Sequence, residues 1–151
     1  MTVEPGGRVK FDFEGSLQLA RQLWSLADDL EREDDGRETQ YETAKAKWLG
    51  TYATQFVSRR ETERTSRTNV VAALKADAKA WAKAWATAMD QQNKNNRAAE
   101  VQRVSDERPW WEKGWDATFG EDDSESKVPH PEPVPVPTPP HFAATATETR
   151  Y

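Results

Sequence analysis

The sequence predicts an all-α protein organised as one long antiparallel helical hairpin, and three observations carry that prediction. Apolar residues recur at steps of three and four over two long stretches. Those stretches meet at Trp48-Leu49-Gly50, and from Thr51 to Arg108 there is neither glycine nor proline. Such spacing lines one face of a 3.6-residue helix, and the second stretch lacks the residues that interrupt one.

Residues 1–14 read as an N-terminal arm. Met1 to Lys10 carries charges, Pro5 and two glycines, with no apolar stretch of the kind a secretory signal needs. A first helix is expected from about residue 15 to 48, capped by Asp12 or Ser16. Leu19, Leu23, Leu26 and Leu30 form its seam, and Ala20, Trp24 and Ala27 widen it. Glu31 to Gln40 is polar, and Gly36 costs about 1 kcal/mol relative to alanine inside a helix, so a bend or a loosened turn is expected there. Tyr41, Ala44 and Trp48 resume the stripe on the same face, three turns after Leu30.

At the junction, Gly50 can take the left-handed conformation that ends a helix. Thr51 would cap the next helix, with Trp48 filling the gap between the two. Tyr52, Ala53 and Phe56 add apolar surface beside the turn. The second helix is expected to run to about residue 107, with Phe56, Val57, Val70, Val71, Leu74, Ala78, Trp81, Trp85 and Met89 as its apolar positions. In an antiparallel pair, facing residues should have numbers adding to roughly 98–100. That register sets the eight acids of Asp28 to Glu42 against the four arginines of Ser58 to Thr68. Asp90 to Asn96 is polar and expected to be solvated. Leu26 should lie beside Leu74.

Pro109 suits the first turn of a short helix over 109–119, with Trp111, Trp115 and Phe119 on one face and Gly120 after it. Residues 121–151 are acidic and then proline-rich, a composition that favours extended polyproline II or disorder. A spacer is the expectation, and a ligand for a proline-binding groove or an export tail the alternative.

Composition excludes several function classes. Of 151 residues, 36% are hydrophobic and 31% charged, which suits thin helical layers. A net charge of −5 disfavours nucleic-acid backbones and anionic membrane surfaces, and no stretch is apolar enough to span a bilayer. There is no cysteine, and the only histidines, His130 and His141, lie in the proline-rich tail. No phosphate loop, nucleophile elbow or metal-spaced histidine pair is present, so no catalytic residue, cofactor or metal is assigned and the chain reads as a non-enzyme. Seven tryptophans are a surplus for so polar a chain. They mark Trp24, Trp81 and Trp85, with Phe56, as candidates for binding a partner.

Trp48-Leu49-Gly50 between two long helices resembles the W-x-G turn of the WXG family, the early-secreted-antigen-like substrates and partners of bacterial type VII secretion. The resemblance covers roughly residues 11–107. It implies a hairpin over 15–107 that pairs with a second copy or a sister protein into a four-helix bundle. It also implies a role as secreted substrate, partner or targeting chaperone, with a secreted effector or toxin and the export ATPase as further partners, and residence in the cytoplasm before export without a signal peptide. Members of the family commonly follow the second helix with an aromatic residue, three others, and an acid. Trp85 to Asp90 is one residue too long for that pattern. Phe119 to Asp123 matches the spacing with Phe in place of Tyr, which makes Trp111, Trp115, Phe119 and Asp123 the candidate export signal. The alternative is a structural coiled-coil adaptor that binds a partner through its helical face and proline-rich tail, unrelated to secretion.

Overall fold

A computed structural model of the chain describes residues 2–108 and 127–137. Two helices account for most of them, α1 over Phe13–Lys45 and α2 over Thr51–Asp106, and no strand occurs among the described residues. The expected helix over 109–119, with Trp111, Trp115 and Phe119, lies outside the described residues, as does Asp123. The described chain forms two compact units, and α2 runs through both. One comprises Glu14–Ala82; the other comprises the arm up to Phe13, α2 from Lys83 onward and residues 127–137.

In the first unit α1 and α2 pack antiparallel. The expected register is met at Arg37 with Glu63, 2.6 Å, and at Arg67 with Glu33, 3.6 Å. Asp12 directly precedes α1, which leaves Ser16 inside the helix and buried. The buried apolar residues of this unit are Leu17, Ala20, Ala27, Val71, Ala78 and Ala82. The seam therefore lies to the alanine side of the expected leucine row, and Leu26, expected beside Leu74, remains 49% exposed. Four of these six residues are alanines, and small side chains let helix axes come closer together than leucines do.

The polar midsection holds the pair together more closely than a solvated one would. Arg60 is buried, donates from Nη2 to Asp34 Oδ1 and to Glu38 Oε2 at 3.0 Å each, and sits 5.9 Å from the Tyr41 ring centre. Burial pulls the Arg60 pKa down, but the bonds to the two carboxylates outweigh it and leave the pKa raised. Lys75 bridges Glu31 at 2.8 Å and Asp28 at 3.3 Å, and the hydrogen bond to Glu31 is the main cause of its raised pKa. The more exposed pairs, such as Arg37 with Glu33, are screened by solvent and contribute little.

α1 is helical through Gly36, with no loosened turn there, and a Cβ at that position would meet nothing within 4 Å. Gly36→Ala is expected to stabilise the protein by about 0.5–1 kcal/mol, because alanine has less backbone freedom to lose. A thermal melt that moves down instead would show that this turn needs glycine.

At the junction, α1 ends at Lys45 rather than Trp48, and a short tightened turn follows, with Lys47 N donating to Ala44 O at 3.1 Å. Gly50 is left-handed, with φ +90°. Its place differs from the one expected: it caps α2 instead of ending α1, since its carbonyl accepts from Ala53 N at 3.1 Å and Thr54 N at 3.3 Å. Thr51 is the first residue of the helix it was expected to cap. Gly50→Val is expected to cost about 1–2 kcal/mol through backbone strain alone, because an added Cβ would touch nothing within 4 Å. An unchanged melting temperature would count against this account.

Candidate functional site

The most heavily built polar surface lies on α2 beyond Lys83. Asp90 to Asn96, expected to be solvated, is largely buried, and Gln91, Gln92, Asn93, Asn95 and Arg97 are all inaccessible. Two chain segments without regular structure account for much of this, because the helix reads each with the side-chain chemistry that its backbone requires.

The first segment is the N-terminal arm. Glu4-Pro5-Gly6-Gly7 forms a tight turn in which Gly7 N donates to Glu4 O at 2.8 Å and Gly6 has φ +69°. Proline second and a left-handed glycine third is the pattern of a type II turn. The turn sets peptide groups against α2 that have both donors and acceptors to satisfy. Side-chain amides match both. Asn95 accepts from Glu4 N at 3.1 Å and donates to Gly7 O at 2.9 Å. Gln92 accepts from Val9 N at 2.8 Å and donates to Gly7 O at 3.2 Å. Gln91 donates to Thr2 O at 3.2 Å and to Asn95 Oδ1 at 3.0 Å. Gln91 with Asn95, and Gln92 with Asn96, stand four residues apart on the helix, so each pair shares a face and links internally. Buried amides of this kind are tolerated because they are hydrogen-bonded.

The second segment is the proline-rich stretch 127–137. It turns at Lys127 and bends at Val128, continues to Pro137 without helix or strand, and is packed rather than free. Val128 is buried, and Pro131, Val134 and Pro137 are half-buried, while the residues between them are exposed. Burial at every third residue is the repeat of a polyproline II helix, which has three residues per turn. A proline-rich backbone offers acceptors and few donors, and Arg97 supplies donors only. Its Nη1 donates to Val128 O at 2.6 Å and Pro129 O at 2.9 Å, and its Nη2 lies 3.2 Å from His130 Nε2. Beside this stretch runs a groove of about 880 Å³, with Ala86, Ala98 and Val101 of α2 on one side, Pro133, Val134 and Val136 on the other, and Lys83, Asp90 and Lys94 at its polar positions. Farther along α2, Arg103 forks between Glu100 and Glu107; its hydrogen bond holds the Glu100 carboxyl below its usual pKa.

The residues expected to bind a partner do not form one patch. Trp85 is 3% exposed and belongs to the core of its own unit with Ala86, Ala88 and Met89. Trp24 is half-buried, with the amines of Lys75 and Lys79 at 5.0 and 5.8 Å from its ring centre. Phe56 is stacked on Tyr41 at 5.4 Å and covered by Trp48 at 5.0 Å. Tyr41 stands seventeen residues from Trp24 along α1, roughly 25 Å of helix, so Trp24 and Phe56 serve different places. Trp81 is exposed, as are Trp48, Tyr52 and, at 95%, Leu49. The sequence signals for the buried ladder were present in Glu4-Pro5-Gly6-Gly7, whose turn pattern is local, and in the valine and proline alternation of the tail.

Among the described residues no group of three or more potential ligands is placed to hold a metal ion, and no helix is long and apolar enough to cross a membrane. No protein-family model matches the chain, and comparison with curated proteins and with solved structures finds no match.

Proposed function

We propose that this chain is a non-enzymatic recognition protein of the WXG type, which acts in type VII secretion as substrate, partner or targeting chaperone by pairing with a second copy or a sister hairpin into a four-helix bundle. The observation that carries the reading is the Trp-x-Gly junction between two long antiparallel helices, with Trp48, Leu49 and Tyr52 left exposed around it. Exposed Val70 and Trp81 add to it: they stand eleven residues apart on α2, about three turns, and so share a face suited to a second helix pair.

Light scattering on the purified protein, alone and with a co-expressed sister, tests the pairing; secretion in strains with and without type VII machinery tests the role. A dimer, and release into the medium only when the machinery is intact, are expected. A monomer that takes no partner, released equally from both strains, would sink the reading. Trp111, Trp115, Phe119 and Asp123 stand as the proposed export signal, tested by Phe119→Ala with Asp123→Ala. Truncation at Pro109 is a poor test, because it also removes Val128 and the carbonyls that Arg97 binds.

The adaptor reading is favoured by one observation of its own, the docking of an arm and a proline-rich segment on α2. It predicts a stable partner complex in cells without type VII machinery.

A further inference from the structure

We propose that the face of α2 around Arg97 is a reader of polyproline II backbone, occupied by the chain's own residues 127–137 and able to take a proline-rich peptide from a partner in their place. Three features of the seated segment define what the face recognises. Burial falls on Val128, Pro131, Val134 and Pro137, so the face accepts an aliphatic or proline side chain at every third position and is indifferent to the two between. Arg97 is buried and bonds two successive carbonyls, Val128 O and Pro129 O, at the bend where the segment enters the face, and these are backbone groups a peptide can offer whatever its side chains. The apolar groove alongside, walled by Ala86, Ala98 and Val101, gives an incoming peptide surface on which to start before the resident segment leaves.

The ligand class follows from these features. It is a proline-rich peptide with the pattern aliphatic-x-x-Pro-x-x-aliphatic, already extended and therefore cheap to order on binding. A segment tethered in the same chain competes at an effective concentration of about millimolar. The intact protein should therefore bind such a peptide weakly, and strongly once the resident segment is loosened.

The test uses a fluorescently labelled synthetic peptide with the sequence of residues 127–137, titrated by anisotropy into three full-length proteins: the natural chain, Val128→Asp/Val134→Asp, and the same pair with Arg97→Met. The double variant is expected to bind the peptide at least tenfold more tightly than the natural chain, and Arg97→Met to remove at least that gain. A peptide with serine at the Val128, Pro131 and Val134 positions should bind at least tenfold more weakly than the natural one. Should the double variant lose helical circular dichroism, Val134→Ser alone carries the same comparison. Equal binding by the natural and loosened chains, retention after Arg97→Met, or indifference to the serine peptide would each overturn the proposal. So would a concentration-dependent dimer that Val128→Asp/Val134→Asp dissolves, because the occupant would then be the tail of a second copy.

Discussion

Trp85→Ala is expected to lower stability by about 3–5 kcal/mol, the usual cost of removing a fully enclosed tryptophan. For a chain of this size that corresponds to a fall in melting temperature of roughly 6–20 °C. The ring is 3% exposed, and its neighbours in sequence, Ala86, Ala88 and Met89, are buried with it. Trp81→Ala is the matched control. Trp81 is 41% exposed, so the same truncation there should cost about 1 kcal/mol or less. A partner-binding role for Trp85 makes the opposite prediction, with affinity lost and the free protein as stable as before. Thermal or urea unfolding of the two variants side by side decides between them.

Asn95→Leu is expected to cost about 2–3 kcal/mol and to free the N-terminal arm. Leucine matches asparagine in shape but removes the acceptor for Glu4 N, the donor to Gly7 O and the partner of Gln91 Nε2. A buried polar group left without a partner costs about 1–3 kcal/mol. The arm can recover water by lifting off, which caps the loss and turns it into local opening. Trypsin should then cut at Arg8 and Lys10 faster than in the natural protein while the helical circular dichroism is retained. Asn95→Asp keeps the acceptors but replaces the donor to Gly7 O with a buried charge facing that carbonyl, so it too should free the arm. Cleavage at the natural rate in Asn95→Leu would show that the arm is held by something other than this amide.

The two helices were legible in the sequence because their causes are local. Threes and fours of apolar residues, together with the absence of glycine and proline after Gly50, bring both helices to within about three residues of their observed ends. The antiparallel register was legible because the junction near residue 50 and the equal rise of the two helices fix it, and the acids and arginines then fall opposite one another, as in Arg37 with Glu63 and Arg67 with Glu33. Gly50 was legible as a left-handed glycine but not as the cap of α2, because which helix it serves depends on where α1 stops.

What the sequence by itself determined, then, is the helical class, the place of the junction and the pairing of the charged midsections, all of which follow from periodicity and composition along one dimension. Only the tertiary structure decided which side of α1 is buried, and it chose Ala20 and Ala27 over Leu26, because close approach of two helices depends on the facing surface as well as on the hydrophobicity of one. It also decided the fate of Gln91 to Arg97. Amides and guanidinium groups read as solvated in any single helix, and they become a buried ladder only when segments more than eighty residues before and about thirty after bring the matching carbonyls and N–H groups to them.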